Sequence, residues 1–275
     1  MQGASRNSLG RLTDQLPTEG DLGGLSGDLF AVVTMLGSQP SLRRALSDPA
    51  ATGTAKVSVV DGLLNSRLGD SALEMVRAAV RSRWSQSRDL VDALEEVAVD
   101  AALITAQTAG TLDAVEDELF RFDRILVAEP TLRDALTNRS VPTDAKRALL
   151  HKLLDGKVNA VTYTLIERVI LEPRGRTIDG AIRDMSTLAA KRRQRLIAHV
   201  TSAVELTADE QRSLSAALST TFGHELQLQM VVDASLIGGL TVRVGDELID
   251  ASVARQLDEA RRKLTGRSST RSARA

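Results

Sequence analysis

The chain contains no cysteine, which removes disulfides, thiolate zinc sites and cysteine nucleophiles together. Aromatic residues make up only 2% of it. Any core must therefore be built from Leu, Val, Ile and Ala, a composition that favours packed helices over an aromatic-rich sandwich. Neither sign of charge dominates, with 35 Lys and Arg against 36 Asp and Glu. A generic nucleic-acid binder needs a strongly basic face, and this balance argues against one. No apolar run approaches the roughly 20 residues that span a bilayer, and the opening MQGASRNSLGRLTDQLP lacks the apolar core of a signal peptide. These absences describe a soluble chain, compatible with a reducing compartment, that can still be attached to something insoluble. Its 275 residues allow two or three domains, each with its own core.

What is present is a duplication. LFAVVTMLGSQPSLRRALSDPAATGTAKVSVVDGLL (29–64) aligns without a gap on LFRFDRILVAEPTLRDALTNRSVPTDAKRALLHKLL (119–154) at an offset of 90 residues. Leu29/Leu119, Phe30/Phe120, Pro40/Pro130, Leu42/Leu132, Ala45/Ala135, Leu46/Leu136, Lys56/Lys146 and the closing double leucines coincide. A proline and a double leucine held in register point to a repeated unit, too long for one turn of a typical solenoid. Each copy reads as short helices. In the second, Leu119, Phe122 and Leu126 form a stripe stopped by Pro130, and 132–136 is a short helix. A leucine-rich run then closes at Asp155-Gly156. Val158 to Ile170 continues at helical spacing until Glu172-Pro173-Arg174-Gly175 breaks it. Between the copies, 89–108 is a long amphipathic helix with Leu90, Leu94, Val97, Ala101 and Ile104 on one side.

After about residue 195 the pattern changes. Leu226, Leu228, Met230 and Val232 alternate with Glu225, Gln227, Gln229 and Val231, and Leu240, Val242 and Val244 alternate again, largely the period of a half-buried strand. Thr207 and Glu210 match a capping box ahead of Leu214 and Leu218, with Gly223 suited to the helix end. The C-terminal part thus reads as strand, helix, strand, strand, helix. Asp250 or Ser252 is placed to cap the closing helix, and an Arg/Ser-rich tail follows. The fold class is a mainly helical bundle with internal duplication, followed by a small C-terminal α/β domain. The expected divisions are a first helical repeat at 1–86, a second helical domain at 87–194, the α/β domain at 195–265 and a disordered tail at 266–275.

Gly238-Gly239 invites comparison with a phosphate-binding loop, but a strand follows it, with no lysine and no helix N-terminus aimed at the turn. The two glycines let the backbone turn or bulge into that strand, and Gly245-Asp246 reads as a hairpin turn. The stretch 228–245, with Gly238, Gly239, Arg243 and Gly245 ahead of Asp250, resembles the signature of the delta subunit of F-type ATP synthases, the bacterial counterpart of the oligomycin sensitivity-conferring protein. VTSAVELTADEQ (200–211), the ending GDELIDASVARQLDEARRKL and the EPRGR turn (172–176) are similar to that family too, so that the resemblance runs from about 88 to 264. Two features depart from it. A partial second copy of the helical domain precedes the family-like part, as in actinobacterial forms. The helix 89–108 carries Val91-Asp92-Ala93-Leu94 where the family commonly has a tyrosine-alanine pair.

The resemblance implies a non-catalytic stator, or peripheral stalk, subunit that supports ATP synthesis by a proton-translocating complex. It implies a peripheral position on the cytoplasmic face of the plasma membrane. The helical domain would hold the N-terminal helices of alpha subunits, and the C-terminal domain would bind b-type stalk subunits. An amphipathic helix laid between helix 89–108 and the helix ending at Leu171 would bury its apolar face, with Leu94, Ala98, Leu165 and Val169 lining the groove; the same four read equally well as intradomain core.

No catalytic constellation accompanies these features. His151, His199 and His224 have no partner at metal-ligand spacing, and no GxSxG or SxxK motif occurs. Glu95-Glu96 and Glu116-Asp117-Glu118 read as solvated helix faces rather than acid/base pairs. No enzyme activity, cofactor or metal is expected. Lys191 to Arg195 suits a helix C-terminus or an acidic partner, and Trp84 is either a core plug or an exposed anchor. The alternative from another class is a helical nucleic-acid-associated regulator that uses the arginine-rich tail.

Overall fold

A computed structural model describes residues 1, 3–195, 197–222, 226–233, 236, 238–245 and 247–252. The chain divides into two compact units, Met1–Ala189 and Ala190–Ala275.

The first unit is helical. It comprises α1 (Ala4–Asp14), α2 (Leu22–Ser38), α3 (Pro40–Ser47), α4 (Gly53–Leu64), α5 (Asp70–Arg81), α6 (Ser87–Thr108), α7 (Leu112–Ala128), α8 (Pro130–Thr137), α9 (Thr143–Leu154), α10 (Ala160–Leu171) and the larger part of α11 (Ile178–Arg195). The sequence repeat proves longer than 29–64. Each of α7, α8, α9 and α10 begins and ends 90 residues after α2, α3, α4 and α5. Local chemistry explains the fidelity. Pro40 and Pro130 occupy the first turn of α3 and α8, where a missing N–H costs nothing. The residue before each proline is held out of the helical region, at φ −120, ψ 81 for Gln39 and φ −120, ψ 80 for Glu129. Each repeat also spends one acid on the start of its fifth helix. Asp28 accepts the Gly69 N–H at 2.7 Å, and Glu118, 90 residues on, accepts the Asn159 N–H at 2.9 Å and the Thr162 hydroxyl at 2.5 Å. Glu118 is therefore a capping group for α10 and not part of a solvated acidic face.

Helix α6 joins the two repeats. It follows α5 as α11 follows α10, and it also precedes α7 as α1 precedes α2. Its extensive packing against α2, with further contacts to α1, α3 and α5, ties it to the first repeat, while α7 and α10 meet it from the second. Of its 22 residues, only Arg88, Asp92 and Thr108 are exposed. Val91, Ala98, Val99, Ala102 and Leu103 are buried along with the one-sided stripe read from the sequence. A helix apolar on nearly all sides belongs at the centre of a core. Ser26 lets α2 approach closely, and its hydroxyl donates to the Ala98 carbonyl at 2.8 Å.

The second unit carries β1 (Ile197–Ser202), α12 (Ala208–Phe222), β2 (Gln227–Val232), β3 (Gly239–Val244) and β4 (Glu247–Ser252) in a sheet of order β2-β1-β3-β4. The parallel β1–β2 pair requires a crossover, which α12 supplies. Antiparallel β3 and β4 form a hairpin through Gly245, whose φ of 56 favours glycine. Ala198, Val200, Val242 and Val244 on one sheet face pack with Leu218 and Leu226, and Leu214, Phe222, Leu228, Met230 and Leu240 surround them. The expected capping box is present. The Thr207 N–H donates to Glu210 Oε2 at 2.8 Å, and the Glu210 N–H donates to Thr207 Oγ1 at 3.3 Å.

One expectation is corrected. Asp250 lies within β4, paired in register with Thr241 and followed by two further strand residues, and so is not a helix cap; Ser252, opposite Gly239, ends the strand. The tight turn aligns Val244 with Glu247 and carries the pairing to the end of β3, which takes Asp250 and the residue after it into the ladder. The expected closing helix, the tail 266–275, Gly223, His224 and Asp246 lie outside the described residues.

The capping box makes a prediction. Hydrogen bonds from the Thr207 backbone and then its side chain hold the Glu210 carboxyl below the usual glutamate range. A depressed folded pKa stabilises above the unfolded value, and that stabilisation is lost as pH falls through the folded one. Thr207→Ala keeps the backbone bond and removes the side-chain one, so it should lower stability at neutral pH, and the difference from the parent protein should narrow without vanishing as urea titrations are taken to increasingly acid pH.

Candidate partner-binding surfaces

The joint between the repeats is held by charge as well as apolar packing. Glu95 on α6, its side chain only 4% exposed, accepts from Arg174 Nη1 at 2.6 Å and Arg176 Nη2 at 2.7 Å, while Arg174 Nη2 also bonds Asp92 at 2.5 Å. Arg174 reaches them from a left-handed backbone, φ 52, a conformation that costs a non-glycine residue about 1 kcal/mol. Nearby, the Arg168 guanidinium lies 5.0 Å from the Phe30 ring centroid, donates to Thr34 Oγ1 at 2.7 Å and pairs with Glu172 at 2.8 Å. The Thr34 hydroxyl bonds Glu172 in turn. Burial lowers the Arg168 pKa, opposed by the charges of Glu172 and Glu95. The EPRGR turn is thus clamped onto α6, and Arg168 with Glu172 carries the polar contact to Phe30 and Thr34 of the first repeat. The reading of Glu95-Glu96 as a solvated face fails at Glu95, because two arginines some 80 residues away in sequence meet it in the interior; no local pattern announces that meeting.

The four expected groove residues, Leu94, Ala98, Leu165 and Val169, are all fully buried. Packing inside the helical unit is the reason: α2 is seated on α6 at Ala98, and α10 packs against α6, α7 and α9. Trp84 is resolved as a core plug, 7% exposed, with its indole N–H donating to the Ala79 carbonyl at 2.8 Å. Equivalent positions of the repeats differ at the aromatic pair: Phe30 is buried beneath Arg168, whereas Phe120 is 54% exposed beside Arg124 on α7, near exposed Ile125 and Val127.

A cavity of about 680 Å³ opens in the second repeat. Leu136, Ile170 and Ile178 contribute buried apolar surface, and Arg133, Arg139, Lys146 and Arg176 contribute charge. In the second unit, Gly239 opens β3 at φ 82 and Gly238 precedes it. Arg243 is exposed between His199 and Leu248 in the register, and Gly245 makes the turn. These signature residues shape a hairpin. Lys191 to Arg195 forms the end of α11. His151 is exposed and lies 3.5 Å from Asp155. No cluster of metal-ligating side chains occurs among the described residues, and no described helix is long and apolar enough to cross a membrane.

The description ATP synthase delta (OSCP) subunit matches residues 99–264, most of the second repeat together with the sheet unit. The chain belongs to the ATP synthase delta (OSCP) family. ATP synthase subunit delta of Streptomyces avermitilis is 46% identical over 261 residues, 95% of each chain, and that of Acidothermus cellulolyticus is 44% identical over 96% of this chain and 99% of its own. A chain in a Toxoplasma gondii mitochondrial ATP synthase hexamer aligns with 62% of this one at 17% identity and a TM-score of 0.32, too low to carry an argument. As a delta-family protein the chain is a non-catalytic, peripheral component of the ATP synthase stalk, and its partners are other subunits of that complex. The nucleic-acid alternative finds no support. The family match begins inside α6 and leaves out the first repeat, whereas the Streptomyces and Acidothermus relatives match most of that repeat too.

Proposed function

We propose that the helical unit holds N-terminal helices of alpha subunits on the catalytic head, while the sheet unit binds b-type stalk subunits at the cytoplasmic face of the plasma membrane. The observation that carries this reading is the family match across two separately cored units. A connector needs two such bodies, each able to grip a different partner. An alpha helix that used Leu94, Ala98, Leu165 and Val169 would have to displace α2 from α6, so these four contribute to the contact chiefly by fixing the helices around it. The first repeat braces the second through the packing of α2 on α6 and the Phe30–Arg168 stack, while the Glu95 clamp fixes the EPRGR turn on α6.

The test is ternary assembly. Full-length chain mixed with purified head and with the soluble part of a b-type subunit should bring both down through a tag on either one. Binding to one partner only, or exclusive binding of the two partners, contradicts the connector reading.

A further inference from the structure

The two repeats differ at one cavity. In the first, the gapless offset places Trp84 where the second has Arg174. Trp84 leaves the turn after α5 and, with Arg44, Ala45, Ser47, Asp48 and Pro49 of α3 and the segment after it, lines a smaller cavity of about 370 Å³. With the indole in place, Ser47 and Lys56 are buried. In the second repeat the corresponding Thr137 is exposed and Lys146 half-buried. There the left-handed backbone at Arg174 turns its side chain away to Asp92 and Glu95. No side chain of the repeat replaces the indole, and the cavity of about 680 Å³ lies at this place.

Its lining describes what fits. Half-buried Val141, Leu171 and Pro173 offer apolar surface of the kind an aromatic ring seeks, backed by buried Leu136, Ile170 and Ile178. Arg133 is committed to Asp179 at 2.6 Å and Arg176 to Glu95 at 2.7 Å. Arg139 and Lys146 form no ion pair among the described residues, and Asp134 is the only acid in the lining. The cavity therefore combines an apolar lining with a net positive rim, within the size range of ligand-binding clefts.

We propose that this cavity seats an aromatic side chain delivered by an acidic segment of a partner subunit, supplying from outside what Trp84 supplies internally to the first repeat. That the segment belongs to another subunit of the complex rests on the stalk reading. The cavity's preference for an aromatic anion does not.

The test uses the full chain labelled with ¹⁵N and two probes, indole-3-propionate and its neutral amide. The account expects saturable amide shifts confined to residues around Arg139, Val141, Lys146, Ile170 and Thr177, with the carboxylate binding about 3- to 5-fold tighter, the scale of partly exposed ion pairing. R139E/K146E, on the rim, should erase that preference while the ring still binds. V141W, filling the cavity, should abolish binding of both probes with an unchanged thermal melt; if it fails to fold, the rim variant alone decides. Shifts centred on Trp84, scattered shifts, or equal affinity for acid and amide would overturn the proposal. A photo-cross-linking residue at position 137 of the assembled complex should then label an aromatic residue flanked by acids in another subunit. Labelling of a segment without an aromatic, or no labelling in an assembled complex, overturns the occupant. Failure of the chain to assemble at all, with the titration intact, contradicts the stalk reading and not the cavity.

Discussion

Leu94→Ala should destabilise the isolated chain by about 3 to 5 kcal/mol, the range for leucine truncation at fully buried sites that cannot collapse. The side chain is completely buried, on a helix enclosed by α2 and α5 of one repeat and α7 and α10 of the other. Neighbours held on both sides have little room to close a void. The measurement is urea denaturation of the purified chain with no partner present. Were Leu94 the lining of an open groove, truncation would barely alter the free chain and would weaken partner binding instead. A loss under 1 kcal/mol would therefore return it to the groove. The same mutation should affect both repeats at once, because α6 belongs to each. Fluorescence of Trp84, the sole tryptophan, reports on the first repeat, and amide exchange of α10 on the second. The two transitions should stay coincident and move together.

Glu95→Ala is the second large effect, about 3 kcal/mol. The carboxylate is almost wholly buried and is the meeting point of Arg174 and Arg176, whose own side chains are 17% and 37% exposed. Removing it leaves two guanidinium groups facing each other across the vacated site. Partial exposure of the arginines keeps the cost at the low end of the range for broken buried pairs. Removal of Arg174 as well should recover part of the loss, since the remaining Arg176 is the better solvated of the two cations. A double-mutant cycle on stability gives the coupling directly, with more than about 1 kcal/mol expected for groups in contact. Additive losses would mean that the clamp does not tie the EPRGR turn to α6.

The sequence made some of this architecture legible. Prolines, double leucines and the 90-residue offset announced the duplication, because turn and cap chemistry is local and survives in the letters. The capping box at Thr207 and Glu210 was readable for the same reason. What escaped depended on contacts between distant segments. A stripe through Leu90, Leu94 and Val97 suggested one buried face for α6, but Val91, Ala98 and Leu103 fill the others, and periodicity cannot say that a second repeat will cover them. Glu95 looked like its exposed neighbours until Arg174 and Arg176 reached it through a left-handed turn. Trp84 was visibly unusual, yet its role became clear only when the empty equivalent in the second repeat stood beside it. Asp250 was misplaced as a cap because hydrogen bonding across a hairpin leaves a weak signature in six residues.

Membrane vesicles that contain the proton-translocating ATP synthase, stripped of this subunit and then given it back, test the central claim most directly through ATP-driven proton uptake. Stripped vesicles should hydrolyse ATP without acidifying, and the purified chain alone should restore acidification. Full acidification in its absence would contradict the account.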